Sequence, residues 1–128
     1  MNTNVIKELV NCFSLIKSCD SIFGGFQIET PFQYPDGSNI KLLFKQNEQL
    51  NWCLTDGDSI LDYLFELEDE EIKEQQFRIN LIIDSLDVQM LNREFLVEFG
   101  NTLPSGLDFS DAIVRLSLVC IRITNLEY

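Results

Sequence analysis

The chain has 128 residues, 45% of them hydrophobic, and a formal net charge of −12, which excludes a disordered polyanion and predicts one folded domain over residues 1–128. The sequence contains no histidine, so the Ser-His and Cys-His nucleophile pairs of many hydrolases are excluded. The negative charge disfavours direct binding to nucleic acid or to an anionic membrane.

The pattern of cysteines and apolar residues predicts where the protein works. The four cysteines are scattered and form no Cys-x-x-Cys pair, which is typical of reduced, structural thiols. No cationic, apolar leader pattern and no apolar run of membrane-spanning length is found. We therefore expect a protein of the cytoplasm.

The N-terminal half predicts one helix followed by three strands. Apolar residues recur at helical spacing over 2–18. Alternating segments then predict strands at Phe26–Thr30, Ile40–Lys45 and Leu50–Leu54, and Pro31 is expected to end the first of these. Turn residues separate the segments, so an antiparallel three-strand meander is predicted.

Two helices are predicted in the middle of the chain. Thr55-Asp56-Gly57 is a predicted tight turn, and Asp58 or Ser59 is a suitable N-cap for a helix reaching about Leu67. A second helix, from about Asp69 to Ser85, carries the apolar residues Ile72, Phe77, Ile79, Ile82, Ile83 and Leu86.

A hairpin and a last helix complete the prediction. The hairpin pairs Asp87–Leu91 with Glu94–Phe99, and Asp108 or Ser110 is expected to cap the final helix. The buried stripe of that helix is predicted to be Phe109, Ala112, Ile113, Leu116, Cys120 and Ile123. The predicted fold is a single α+β domain in which four helices pack on an antiparallel sheet, in the order αβββααββα.

The charge is concentrated in one segment. Residues 51–75 carry nine acidic residues against Lys73 alone, a net charge of −8. Acids four residues apart on a helix lie about 6 Å apart, close to the spacing of successive phosphates, so the segment could mimic a nucleic acid towards a basic protein groove. A solvated helix face that only keeps the protein soluble is the alternative. The candidate partner-binding residues are Asp58, Asp62, Glu66, Glu68, Asp69, Glu70, Glu71 and Glu74.

Carboxylates supply the remaining route to catalysis or metal binding. Asp36, Asp56, Asp58 and Lys41 together imitate part of a metal-dependent nuclease site. However, Asp36-Gly37 and Asp56-Gly57 are also typical turn sequences, and Asp58 is also a typical cap. The turn-and-cap interpretation is favoured, so no catalytic residue, metal or cofactor is assigned.

Several motifs resemble a known family. Thr30-Pro31-Phe32, Tyr34-Pro35-Asp36-Gly37, Ile40-Lys41-Leu42 and Leu54-Thr55-Asp56-Gly57-Asp58-Ser59-Ile60 occur in the order found in the domain of unknown function 1828 family. The resemblance covers roughly residues 20–100, and the turn after Thr55 is one residue shorter than is common in the family. The family occurs in bacteria and their phages and implies no activity.

The charge and the resemblance together suggest three functional hypotheses. The first is a small non-enzymatic inhibitor from a phage or mobile element that binds a nucleic-acid-handling defence protein, as anti-CRISPR proteins do. The second is a regulatory or antitoxin-like interaction module, either a monomer or a homodimer formed through an exposed strand edge. The third is a carboxylate metal-binding enzyme.

Overall fold

The computed structural model of the protein describes residues 18–22, 25–57, 69–91 and 94–126, and the side chains of these residues outside 18–22 and 69–74. Six strands in the described ranges form one antiparallel sheet in the order β1-β2-β3-β4-β6-β5, accompanied by two helices. The elements are β1 (Ser18–Ile22), β2 (Gly25–Gln33), β3 (Asn39–Gln46), β4 (Trp52–Thr55), α1 (Asp69–Ser85), β5 (Gln89–Leu91), β6 (Glu94–Gly100) and α2 (Gly106–Thr124).

The predicted order αβββααββα with four helices is wrong, although the mixed α+β class with an antiparallel sheet holds. The described chain opens with a strand, β1, and continues as a meander of four strands before α1. The predicted helices over 2–18 and Asp58–Leu67 lie outside the described residues, except for Ser18, which begins β1.

Strand β1 exists because β2 offers it a backbone ladder. The two strands pair antiparallel from Ser18 opposite Glu29 to Ile22 opposite Gly25. A Cβ atom on Gly25 would lie 2.5 Å from the Phe44 carbonyl oxygen of β3, so glycine at this position allows the backbone of β2 to lie close to that of β3. The polar sequence of β1 shows no apolar alternation, and its strand state therefore depends on pairing that a local pattern cannot show.

Strand β2 also continues past Pro31, where it was expected to stop. The pairing of β2 with β3 shifts register between Glu29 and Gln33, and Pro31 lies within this irregularity. A proline at a bulge removes no regular ladder hydrogen bond, because the ladder is already interrupted there.

The predicted meander of three strands is confirmed in β2, β3 and β4, which are consecutive antiparallel neighbours. The last of these strands begins at Trp52 and not at Leu50, which has φ 61° and is exposed in the loop between β3 and β4. The predicted hairpin is confirmed in β5 and β6, while its connecting residues 92–93 lie outside the described part of the chain.

The hydrophobic core lies on one face of the sheet, against α2. The Phe44 and Trp52 rings stack with centroids 4.9 Å apart, and Phe109 of α2 meets Phe44 edge-on at the same separation. Trp52 is 4% exposed and belongs to this core. All six predicted members of the buried α2 stripe are fully buried. The helix begins earlier than expected, because Ser105 is its N-cap and accepts from the Asp108 N–H at 3.2 Å.

A single arginine of α2 ties α1 to the body of the protein. Arg115 Nη1 donates to the backbone carbonyls of Leu86 at 3.2 Å and Asp87 at 2.7 Å, immediately after α1 ends. Its Nε donates to the Asp111 carboxylate at 2.8 Å, which fixes the guanidinium. The carbonyls at the end of α1 thereby gain charged donors. No helix in the described ranges is long and apolar enough to cross a membrane.

Candidate functional site

The acidic segment divides between two parts of the chain. Asp58, Asp62, Glu66 and Glu68 lie outside the described residues. The positions of the other four candidates, Asp69, Glu70, Glu71 and Glu74, fall in the first turns of α1, whose predicted bounds are confirmed. The backbone of α1 thus places these four acids at helical spacing, as the mimic hypothesis requires.

Helix α1 exposes apolar residues that the sequence did not assign to a surface. Phe77 is 72% exposed and Leu81, one turn later, is 55% exposed. Ile79 and Ile83 on the opposite side of the helix are buried in the core. A rotation of 100° per residue separates these two pairs and is the signal that could have found the exposed pair.

The buried face of α1 settles which side points to solvent. Ile79 and Ile83 pack in the core cluster with residues of α2, while Ile82 and Leu86 are partly buried against it. Exposed Asp84 lies three residues after Leu81, and helix positions 70 and 74 lie seven and three residues before Phe77. By the helical period, these positions share one face with Phe77 and Leu81. This face, defined by positions 70, 74, 77, 81 and 84, is called the outer face of α1.

Asp56, which was predicted as a turn residue, is a buried carboxylate with a structural role. It is 2% exposed, and its Oδ1 accepts from the Phe95 N–H at 2.9 Å. The backbone bond from the Asp56 N–H to the Phe95 carbonyl, at 3.1 Å, completes a pair with β6. Asp56 therefore extends the pairing of β4 with β6 beyond the end of β4. Gly57 follows with φ 63°, so the chain does change direction where the sequence predicted a turn.

The four residues of the carboxylate-enzyme hypothesis are only partly brought together. Lys41 and Asp56 line one cavity of about 310 Å³. Asp36 lies in the predicted turn, which Gly37 confirms with φ 88°, and its Oδ1 accepts from both the Ser38 N–H and hydroxyl. These two hydrogen bonds lower the pKa of Asp36. Asp58 lies outside the described residues.

Two titratable groups near Asp56, Tyr34 and Cys120, have raised pKa values. Burial raises the pKa of the Tyr34 hydroxyl far above its usual range, and the neighbouring Cys120 and Asp56 raise it further. Burial likewise raises the pKa of the Cys120 thiol, and the Asp56 charge acts in the same direction. Both groups are therefore protonated at neutral pH, and the thiol is a poor nucleophile.

A second cavity of about 370 Å³ lies on the sheet face that carries Cys53 and Lys45. Lys45 Nζ forms an ion pair with Glu94 Oε1 at 3.3 Å across the cavity wall. Burial raises the pKa of the Cys53 thiol, although the Lys45 charge opposes the shift. Cys53 and Cys120 are both buried, free thiols, whereas Cys12 and the side chain of Cys19 lie outside the described part of the chain. Within the described ranges, no three His, Cys, Asp or Glu side chains are grouped so that they could hold a metal ion.

Comparison of the chain with protein-family models, curated proteins and solved structures returns no match. The resemblance to the domain of unknown function 1828 family therefore stays a prediction from the motifs, and the functional argument depends on the geometry above.

Proposed function

We propose that this protein is a small acidic, non-enzymatic inhibitor that binds a basic surface of a nucleic-acid-handling defence protein, as anti-CRISPR proteins do. The observation that carries the proposal is the acidic segment of residues 51–75, net charge −8, which enters the regular helix α1 at Asp69. Carboxylates repeated along a helix match the phosphate spacing that a basic nucleic-acid groove accommodates.

Helix stability accounts for only part of this acidity. Acidic residues in the first turn of a helix interact favourably with its macrodipole, by about 0.3–1 kcal/mol each. That effect fades beyond the first turn, but Glu74 lies four residues before Arg78, at the spacing of a favourable ion pair. The acids that precede α1 in the sequence are the ones that neither effect explains. Like charges four residues apart destabilise a helix by a few tenths of a kcal/mol, and within α1 only Glu70 and Glu74 have this spacing.

The alternative of a carboxylate enzyme has weaker support. The Asp56 carboxylate is engaged by the Phe95 N–H and is 2% exposed, while the Asp36 carboxylate is engaged by its own turn. In each carboxylate the Oδ1 oxygen accepts hydrogen bonds that hold the local chain in place, so both residues already have a structural role.

The proposal places the protein in the bacterial cytoplasm, as the product of a phage or mobile element. Its test is a pull-down from bacterial lysate at about 50 mM and about 500 mM salt, because screening weakens exposed charge contacts at the higher concentration. We expect a nucleic-acid-binding protein to be recovered at low salt and lost at high salt. Recovery of no protein, or of a partner indifferent to salt, contradicts the proposal.

The exposed edge of β5 supports a second candidate, an antitoxin-like regulatory module that forms a homodimer. β5 is the last strand in the sheet order, and its three residues are all exposed, including Met90 and Leu91. An unpaired edge is a template for another strand. Light scattering decides between the candidates, since a monomer mass over a wide concentration range contradicts the dimer.

A further inference from the structure

The outer face of α1 combines apolar and acidic positions in one line. Phe77 and Leu81 are the large apolar residues exposed at its centre, and Asp84 follows them one turn later. Positions 70 and 74, both glutamate in the sequence, precede them on the same side of the backbone, and position 73, a lysine four residues before Phe77, borders this face. Exposed apolar side chains that adjoin one another on a surface helix mark a contact site more often than isolated ones do.

The size and shape of this face fit one helix. The 17 residues of α1 span about 25 Å, and residues spaced by four form a ridge that fits the groove of a second helix. Phe77 and Leu81 form such a ridge, one turn apart. A second helix crossing this ridge would cover both side chains.

The charge of α1 indicates which kind of helix would fit this face. Over its whole length α1 has five acidic and two basic residues, and the protein carries −12. A second copy of this chain would place two acidic segments against each other, which costs free energy. A helix bearing an apolar stripe flanked by lysine or arginine complements both the ridge and the acids.

We infer that the outer face of α1 docks a basic amphipathic helix of the partner protein, with Phe77 and Leu81 as its apolar anchors. This inference rests on the proposed function and deepens it, because it gives the partner surface a shape as well as a charge. The bound state then has two separable components. One is weakened by salt through the acids, and the other persists in salt through the two anchors.

The test uses two labelled model peptides of leucine and lysine with identical composition. In one peptide the leucines follow the helical period and form a stripe, and in the other their order is scrambled. Binding to the full chain is measured by fluorescence anisotropy for the wild type, for Phe77→Ser/Leu81→Ser, and for a charge variant with Asp69→Asn, Glu70→Gln, Glu71→Gln and Glu74→Gln.

We expect the striped peptide to bind the wild type and to bind the Phe77→Ser/Leu81→Ser variant about tenfold more weakly or worse, since apolar anchors carry most of such interfaces. Equal binding of both peptides that is lost only in the charge variant overturns the inference and leaves the proposed function standing. Stripe-dependent binding that ignores salt and the charge variant keeps the apolar docking face but contradicts the proposed function. Absence of binding by either peptide overturns the inference.

Two other occupants of this face are distinguished by the same variants. If the protein is a dimer by light scattering and Phe77→Ser/Leu81→Ser makes it a monomer, a second copy covers the face and the inference is overturned. If those substitutions instead lower the melting temperature by several degrees, a segment of the chain itself covers the face, which also overturns it. The expected result is a monomer with an unchanged melting temperature.

Discussion

The Asp56 carboxylate holds the backbone of β6 beside the end of β4, through its 2.9 Å bond from the Phe95 N–H. Substitution Asp56→Ala leaves that buried donor without its acceptor, so we expect the free energy of unfolding to fall by about 2 kcal/mol. Urea unfolding at neutral pH measures the loss. Asp36→Ala is the matched control, because its exposed turn contributes far less.

A second substitution of Asp56 distinguishes a structural role from a metal-binding role. If Asp56 held a metal, then Mg²⁺, Mn²⁺ or Ca²⁺ would stabilise the wild type and not Asp56→Asn. We expect no metal-dependent shift in melting temperature for either protein. A shift seen only in the wild type would favour the carboxylate-enzyme hypothesis over the structural account.

The raised pKa values of Tyr34 and Cys120 make the free energy of unfolding fall at alkaline pH. Cys120 and Tyr34 titrate at ordinary values of 9.0 and 10.0 when unfolded, but higher in the folded protein. Above pH 9 the unfolded chain therefore releases protons that the folded chain retains, and the free energy of unfolding falls as pH rises. Below pH 9 this contribution is constant.

The Cys120→Ala variant isolates one of these groups. It lowers stability at every pH by leaving a cavity, but between pH 9 and 10 its stability should fall less steeply than that of the wild type, by up to about 1.4 kcal/mol per pH unit. Urea unfolding over this pH range gives both slopes. Parallel slopes would mean that the thiol titrates alike in the folded and unfolded chains.

Residue identity alone could not reveal the role of Asp56. An Asp-Gly pair after a strand is typical of a turn, and Asp36-Gly37 is one. What distinguishes Asp56 is β6, which lies about forty residues later in the chain and brings the Phe95 N–H to its carboxylate. Local patterns carry no information on such a partner.

At the scale of elements, Arg115 fixes the end of α1 against α2 through two backbone carbonyls. Arg115→Met retains the apolar stem and removes the donors, so we expect the free energy of unfolding to fall by about 1–2 kcal/mol. Arg122→Met, which removes the same charge from an exposed position of α2, is the control and should change stability by less than about 0.5 kcal/mol. Equal losses of unfolding free energy in the two variants would show that the positive charge matters and that the hydrogen bonds to the Leu86 and Asp87 carbonyls do not.

Helices and strands with a clear apolar period were predictable from the sequence. Strand β1, which lacks such a period, was not. The α1 bounds and the buried stripe of α2 follow from apolar residues at helical spacing. Strand β1 is mostly polar, and its strand state comes from the ladder with β2. For this reason the four-helix order failed while the three-strand meander and the hairpin were correct.

At the scale of the whole molecule, the predicted acidic site is located only in part. The sequence identified the acids by their density, which needs no knowledge of the fold. It did not identify the exposed side of Phe77, because that side is known only once Ile79 and Ile83 are seen to enter the core. The proposed binding surface therefore combines acidic residues that are evident from the sequence with an apolar ridge that is evident only from the packing.

The central claim is that the acids of α1 bind a basic partner surface, and the salt dependence of that binding tests it most directly. The partner recovered from lysate is titrated against three proteins. They are the wild type, the α1 variant with four acids neutralised (Asp69→Asn, Glu70→Gln, Glu71→Gln and Glu74→Gln), and a control with Glu48→Gln, Asp87→Asn, Glu98→Gln and Asp108→Asn. The control removes the same number of charges from exposed positions outside the acidic segment.

The account predicts that the α1 variant binds about tenfold more weakly or worse and loses much of its salt dependence, while the control stays within about threefold of the wild type. Equal weakening by the α1 variant and the control would mean that net charge alone drives association. Unchanged binding of the α1 variant would contradict the account and return the acidic segment to the role of a solvated surface.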